Sequence, residues 1–379
     1  MRVNIAGAGS AGLYAAILIR RARPDIEISI FEQNTSDATF GFGVVFSDQA
    51  LGFLREDDPE TVALIEPHMQ RWPDMEVVHK GERISIDGVG FAAIGRLDLL
   101  QLLQQRAAQL GINPVYECRL ETMDALGEAD LIIGADGLNS IVRASSPEEF
   151  GERIETLSNR FIWYGAMREF DALTQSFVET RLGKFNAHHY RYQPGRSTFI
   201  IETTDAIWRK AGFAELDAET TRTVCEELFD DVLGGSRLVD NNSNWRQFPN
   251  LICERYFAGN KVLVGDALHT AHFSIGSGTR LALEDVASLV SALKSTGWDV
   301  PAGLAMFQDV RKPALQKIIK AATRSAFWYE AFDQHMALEP LQFALGYIQR
   351  AGRLDADKLR RFAPGFAAEL EASGISLSI

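Results

Sequence analysis

Residues 5–12 read IAGAGSAG, which places Gly7, Gly9 and Gly12 in a G-x-G-x-x-G pattern. An apolar run, Val3 to Ala6, precedes it, and a helical pattern from Ala11 to Arg21 follows it. In that context the three glycines allow a tight turn, close backbone approach to a pyrophosphate, and tight helix–strand packing. The N–H groups around Ser10 and Ala11 would open the helix and face the phosphates with a partial positive charge. Glu32, with Gln33 beside it, stands twenty residues past Gly12 (32 − 12 = 20). A carboxylate there is placed to accept hydrogen bonds from an adenosine ribose, and an acid in place of an arginine favours an unphosphorylated ribose. That leaves FAD or NAD. Two later turns carry similar chemistry: Asp136-Gly137 at the end of DLIIGADG, and Gly265-Asp266 at the end of KVLVGD. Singly, each is an ordinary strand-end turn, since Asp and Gly favour such conformations.

These residues need elements to hold them. Val3–Ala6, the helical stretch and EISIF (27–31) make a strand–helix–strand unit with a parallel sheet. LDLLQLLQQRAAQLG is apolar at helical spacing and closes on Gly111, after which PVYEC (114–118) and DLIIGA (130–135) read as strands. Between 160 and 204 the pattern becomes short, alternating, aromatic and β-branched: RFIWYGAM, SFVETRL, NAHHYRYQ and STFIIETT. That texture predicts an antiparallel sheet. Residues 206–233 return to helix, KVLVGDA (261–267) reads as a buried strand, and a long helix follows Gly278. The expected fold class is α/β: a Rossmann-like dinucleotide domain from 1–159 and 250–379 with C-terminal helices, and an inserted antiparallel β-sheet substrate domain from 160–249.

Composition narrows the function. The 379 residues carry 46% hydrophobic and 23% charged side chains, a globular balance that argues against disorder. A formal net charge of −13 argues against nucleic acid as a partner, which would call for a basic face. The apolar run Ala11 to Ile19 is too short to span a bilayer and is followed by Arg20 and Arg21, so neither a membrane nor a targeting segment is expected. Cys118, Cys225 and Cys253 lie far apart, which suits a reducing cytoplasm. No Cys/His spacing suggests a metal.

As an ordered set, the glycine loop, Asp136-Gly137 and Gly265-Asp266 resemble the group A flavoprotein aromatic monooxygenases, the para-hydroxybenzoate hydroxylase-like family, along nearly the whole chain. The resemblance decides for FAD. It implies that Asp266 contacts the ribityl hydroxyls, that Asp136 lies near the pyrophosphate, and that Arg96, opening GRLDLLQLL, reaches the ribityl or phosphate region. The loop Gly276-Ser277-Gly278 would present backbone N–H groups to the negative charge of reduced flavin at N1/O2. GFGVVFSDQ (41–49), AHHYRYQPGRSTFIIET (187–203) and GDALHTAHFSIGSGT (265–279) look like salicylyl-CoA 5-hydroxylases and the flavin half of anthraniloyl-CoA monooxygenases. They are similar, less closely, to the violacein-pathway hydroxylase. The chain ends at Ile379 without the reductase-like half of the anthraniloyl enzymes, which favours a simple hydroxylase. One departure is His272-Phe273-Ser274 in place of the family's usual prolines.

The activity so implied begins with reduction of bound FAD by NADH or NADPH and addition of O2 as a C4a-hydroperoxide. The distal oxygen then passes to an aromatic ring, expected to be a small phenol on a CoA thioester. A phenol titrates near 10 when unperturbed, so a neutral His or a Tyr relay is the natural partner for its proton. His188 and Tyr190, two apart on a predicted strand, share a face, and His272 sits in the loop that would meet the flavin. Val44, Val45, Phe46 and Ser47 are expected to form an apolar wall that keeps water out. Arg191 and Arg196, or Arg350, Arg353, Arg360 and Arg361, are the candidate cations for CoA phosphates. Other readings are an anthraniloyl-CoA or indole hydroxylase, a flavin halogenase or reductase, and an NAD-binding dehydrogenase or sensor. The absence of W-x-W-x-I-P weighs against a halogenase.

Overall fold

The computed structural model describes residues 1–47, 52–352 and 354–377. Asp48, Gln49 and Arg353 fall outside the described residues.

The first sheet is built from β1 (Arg2–Ala6), β2 (Glu27–Phe31), β8 (Leu131–Gly134), β15 (Phe257–Ala258) and β16 (Lys261–Leu263), in the order β15-β16-β8-β1-β2. Its three pairings beyond the β15–β16 hairpin are parallel, with Ile5 in register with Ile30 on one side and Ile133 on the other. Strands covered on both faces should be continuously apolar, and β8 (LIIG) is buried at every position. Helices α1 (Ser10–Ala22), α2 (Arg96–Gln109) and α3 (Gly278–Ser295) share one core with it.

Two sequence expectations need correction here. PVYEC is not a strand: it reduces to one bridge, Phe31 to Val115, because Glu117 takes a left-handed φ of 55° and turns the chain away. KVLVGDA is a strand only over Lys261–Leu263, since Gly265–Ala267 winds into a short 3-10 turn with the Gly265 N–H donating to the Asp285 carboxylate at 3.0 Å.

The second sheet runs β13 (Leu238–Val239), β9 (Glu152–Ala166), β12 (Arg196–Thr203), β11 (Gly183–Gln193), β10 (Leu173–Thr180), β5 (Met75–His79), β6 (Glu82–Ile86), with β14 (Arg246–Cys253) also on β9. It is antiparallel apart from β10 with β5, which are parallel. The sheet therefore draws strands from residues 75–86 as well as from 160–249. A third, small sheet pairs β7 (Phe91–Gly95) with β3 (Gly43–Ser47) and β4 (Gln70–Trp72).

The pleat of β11 divides the large sheet's two sides. His189 points to the core made with Phe170 and Phe199. His188 points the other way, onto Phe273 and onto Tyr329 of α4 (Val300–Glu330), which is followed by α5 (Pro340–Gln349). No helix among the described residues is long and apolar enough to cross a membrane.

The first βα turn owes its closeness to missing side chains. Gly7 has φ +93°, and a Cβ on Gly12 would lie 1.9 Å from the Gly7 carbonyl oxygen. A Cβ on Gly9 would meet nothing within 4 Å. Gly12→Ala is thus expected to cost about 1–3 kcal/mol by overpacking against backbone, whereas Gly9→Ala should cost under about 1 kcal/mol as an exposed cap change. Urea unfolding of both variants, read as a fall in the midpoint at unchanged slope, checks the contrast.

Candidate functional site

The glycine loop and its acid do meet. Gly9, Ser10, Glu32, Asn34, Arg96 and Tyr116 line a cavity of about 140 Å³. The Glu32 carboxylate is aimed by three donors: Ala8 N–H at 3.0 Å, Asn34 N–H at 2.9 Å and Asn34 Nδ2 at 2.8 Å. Its remaining lone pairs are available to a ligand. Helix α1 starts at Gly9 without a side-chain cap, so its first N–H groups, at Ser10, Ala11 and Gly12, point outward unpaired. Gln33 is exposed and is not part of the cavity lining.

The two later turns are brought to the same edge of the parallel sheet and are locked to each other. Arg143, buried, donates from Nη1 to the Ala267 carbonyl (2.8 Å) and from Nη2 to the Leu138 carbonyl, and its Nε pairs with Glu152 at 2.6 Å. One guanidinium thus ties the Asp136-Gly137 turn to the Gly265-Asp266 turn. A second buried group braces the latter: Asp285 accepts from Gly265 N–H (3.0 Å), pairs with His269 Nε2 (2.8 Å) and takes Arg311 Nε (2.7 Å). Its bonds to His269 and Arg311 hold its carboxyl below the usual range despite its burial. Sequence reasoning missed Arg143, Asp285 and Arg311. Arg143 follows closely after Asp136-Gly137 in the sequence, but only the turn residues carried a recognisable signal.

Several polar atoms here await a partner. Asp136 uses Oδ2 to accept from Ile141 N–H at 2.7 Å, while its Oδ1 is buried with no hydrogen-bond partner among the described residues, and burial raises its pKa. Ser277 Oγ, at the uncapped start of α3, is likewise buried and unpartnered. Asp266 is exposed by its side chain yet closely surrounded by protein. Crowding raises its carboxyl pKa, and the nearby Arg96 cation pulls it back. Arg96 therefore stands between Glu32's cavity and Asp266. Unpaired donors at a helix start, an open Gly9, an orphaned acid and a cation between them match a dinucleotide with a pyrophosphate and a polyol, so the residues fit FAD.

The expected apolar wall is split by the strand it forms. In β3, Val44 and Phe46 turn into the dinucleotide-domain core, and Val45 and Ser47 face the other way, because successive side chains of a strand alternate. Val45 covers the flavin loop: a Cβ on Gly276 would come within 2.6 Å of its Cγ1. Gly278, by contrast, faces open space, and Gly137 does too.

Tyr190 donates its hydroxyl to the Gly43 carbonyl (2.9 Å), and the Gly43 N–H donates to Thr198 Oγ1 (2.9 Å). Burial pushes the phenol up to about 12. Tyr190 is thereby committed to fastening β3 onto the large sheet. His188 has no such engagement. It is buried beside Phe273 and Tyr329, and burial with the Arg350 cation lowers its pKa to about 3, so it is neutral at physiological pH. His272 is lowered by burial to about 4, takes the Ser274 N–H on Nδ1 at 3.4 Å, and lines a second cavity of about 250 Å³ with Thr156, Ser158, Phe248, Asn250 and Glu330. Glu202, which sequence reasoning did not single out, faces this pair; burial raises its carboxyl to about 7. No group of three or more His, Cys, Asp or Glu among the described residues is placed to hold a metal.

Three of the candidate cations for CoA phosphates have partners within the protein. Arg191 pairs with Glu169 and Arg360 with Glu371 and Asp357, while Arg350 turns inward to the Ser274 carbonyl at 2.8 Å.

A family model described as an FAD binding domain matches residues 101–322. A salicyloyl-CoA 5-hydroxylase of a Streptomyces species is 38% identical over 93% of this chain and 70% of its own length. A 3-hydroxy-4-methyl-anthranilyl-[aryl-carrier protein] 5-monooxygenase of Streptosporangium sibiricum is 33% identical over 87% of this chain and 89% of its own. Among solved structures, a 2-methyl-3-hydroxypyridine-5-carboxylic acid oxygenase superposes with a TM-score of 0.72 at 19% identity, covering 95% of this chain and 98% of that one, which shows the shared fold. With three turns that fit a flavin dinucleotide and relatives of this identity along almost its whole length, the chain belongs to the FAD-dependent aromatic monooxygenases of the para-hydroxybenzoate hydroxylase-like family.

Proposed function

We propose that this enzyme hydroxylates a phenol presented as a CoA thioester, with salicyloyl-CoA as substrate and gentisyl-CoA as product, using NADH or NADPH as reductant. The observation that carries this reading is the 38% identity, over 93% of the chain, to an enzyme named salicyloyl-CoA 5-hydroxylase. A carrier-protein thioester of a hydroxylated anthranilyl group is the second reading, favoured by the 33% identical relative that bears that name. The free thiols Cys118, Cys225 and Cys253 accord with a cytoplasmic site of action.

FAD, when bound, supplies electron transfer from the nicotinamide and activation of O2. In this proposal the protein holds it by Gly9, Ser10, Ala11 and Glu32 at the adenosine end, by Arg96, Asp136 and Asp266 along the middle, and by the uncapped start of α3 near Gly276, Ser277 and Gly278 at the ring end. Residues 1–159 and 250–379 form the cofactor unit, and 160–249 with β5 and β6 the sheet that covers the substrate. Tyr190 fixes β3, so that Val45 shields the reacting face from water. His188, neutral and flanked by rings, accepts the hydrogen of the substrate hydroxyl and so raises electron density on the ring carbon para to it.

Three outcomes test this. Salicyloyl-CoA should accelerate NAD(P)H oxidation by the yellow holoprotein and yield hydroxylated product; neither occurring removes the substrate assignment. Asp266→Ala should weaken FAD retention by about 1.5–3 kcal/mol, roughly 10- to 100-fold, the range for a lost hydrogen bond to a charged group; equilibrium dialysis against free FAD measures it. His188→Ala should slow hydroxylation roughly a hundredfold, the range for a general base, while flavin reduction followed by stopped flow at about 450 nm changes far less. Equal slowing of both steps would argue against the proton role.

A further inference from the structure

Behind His188 lies a carboxyl group whose position the register of the sheet dictates. On the antiparallel pair β11–β12, His188 faces Ile200 and Asn186 faces Glu202. Glu202 is therefore the diagonal neighbour of His188 on the same sheet face, within reach of a long side chain. His188 Nε2 and Glu202 Oε2 are 3.6 Å apart. That is too long for a direct hydrogen bond, and both atoms are buried with no other partner among the described residues. The other carboxyl oxygen is pinned by Asn159 Nδ2 at 2.8 Å, and Asn159 Nδ2 is itself anchored to the Tyr329 carbonyl at 2.8 Å. Two orphaned polar atoms that face each other in a dry interior are costly unless something passes between them.

We propose, resting on the hydroxylase reading above, that Glu202 is the proton acceptor behind His188, so that the two side chains form a buried relay that takes the proton from the ring hydroxyl and later returns it. The substrate O–H bond breaks as Nδ1–H forms on His188, and Nε2–H breaks as the Oε2–H bond forms on Glu202. The imidazole ends neutral in its other tautomer, the substrate is a phenolate, and Glu202 is a neutral acid. After the ring has been hydroxylated, the proton retraces the path and both groups are reset. Small side-chain rotations close the 3.6 Å gap.

The surroundings favour this direction of transfer. Facing Glu202 and His188 are His272 from the flavin loop, Asn159 from β9, Tyr329 and Glu330 from α4, and Tyr347 and Arg350 from α5 and its end. Burial and Arg350 make a charged imidazole unfavourable at His188, so it passes a proton on without storing it. Burial, with Glu330 adding repulsion against the pull of His272 and Asn159, brings Glu202 to about 7. A raised carboxyl is neutral below that pH and ionised above it, so the acceptor becomes competent as pH rises through about 7.

Infrared titration of the FAD-loaded protein tests the inference without requiring turnover. A protonated-carboxyl C=O band should fade as pH rises through about 7 and should be missing from Glu202→Gln. Its absence in the wild type above about pH 5.5, the range of an ordinary glutamate, overturns the proposal, as does its persistence unchanged in Glu202→Gln. Added salicyloyl-CoA should restore the band at a pH where the free holoprotein has lost it; a substrate that binds without restoring it also overturns the relay. In turnover, the wild-type rise of hydroxylation with pH should flatten in Glu202→Gln, return in Glu202→Asp, and leave flavin reduction within about twofold. A purely packing role for Glu202 would lower activity without moving that pH limb. If salicyloyl-CoA fails to stimulate NAD(P)H oxidation at all, the substrate assignment falls, and the substrate-free titration still decides Glu202.

Discussion

The cofactor site depends on one buried cation. Arg143 reaches from the turn after β8 to the turn after β16, and its three bonds hold Leu138, Ala267 and Glu152 at fixed separation. A guanidinium in the interior persists only when its donors are satisfied, and Arg143 meets this with two backbone carbonyls and one carboxylate at the surface. The arrangement therefore either forms whole or fails whole. Asp136 and Asp266 ride on the two turns so joined, and their distance from each other is set by Arg143. The same logic operates one layer out, where Asp285 gathers Gly265, His269 and Arg311. The residues proposed to hold the cofactor are loop residues, and the bonds of Arg143 and of the buried Asp285 brace those loops.

The large sheet serves the site differently. It offers a flat, dry face whose polar members are few and individually placed. Tyr190 spends its hydroxyl on the Gly43 carbonyl and so couples β11 to β3, the strand that brings Val45 over Gly276. His188, one pleat along, keeps its imidazole uncommitted. Two residues of similar chemical promise on one strand thus divide into a fastener and an uncommitted imidazole. Only the partner across the sheet distinguishes them.

That division explains what could be read from the amino-acid order. The meeting of the glycine loop with Glu32, on one cavity with Arg96, was legible because the unit is local: a strand, a turn and a helix within a few residues. Glu202 was not, since STFIIET reads as an alternating strand and nothing in it marks one acid; its importance arises from the register that sets Asn186 against it and His188 diagonal to it. The Val44–Ser47 wall is divided for a related reason: pairing with β7 imposes an alternation that turns Val44 and Phe46 into the dinucleotide-domain core and leaves Val45 on the other side. PVYEC carried strand composition, and the left-handed Glu117 ended its pairing after a single bridge.

Charge conservation within the dry face ties these observations together. Proton transfer from a neutral phenol to an ionised Glu202 leaves a phenolate and a neutral carboxyl, with Arg350 and Glu330 unchanged, so the net charge of the cluster does not alter. A buried site resists creating charge far more than relocating it, because desolvation penalises each new ion separately. An imidazolium would have added a second cation beside Arg350, and the depressed pKa of His188 records that cost. In the proposed relay an internal acid takes up the proton, so exclusion of water and activation of a phenol, which oppose each other in an apolar pocket, become compatible through one glutamate two positions along the neighbouring strand.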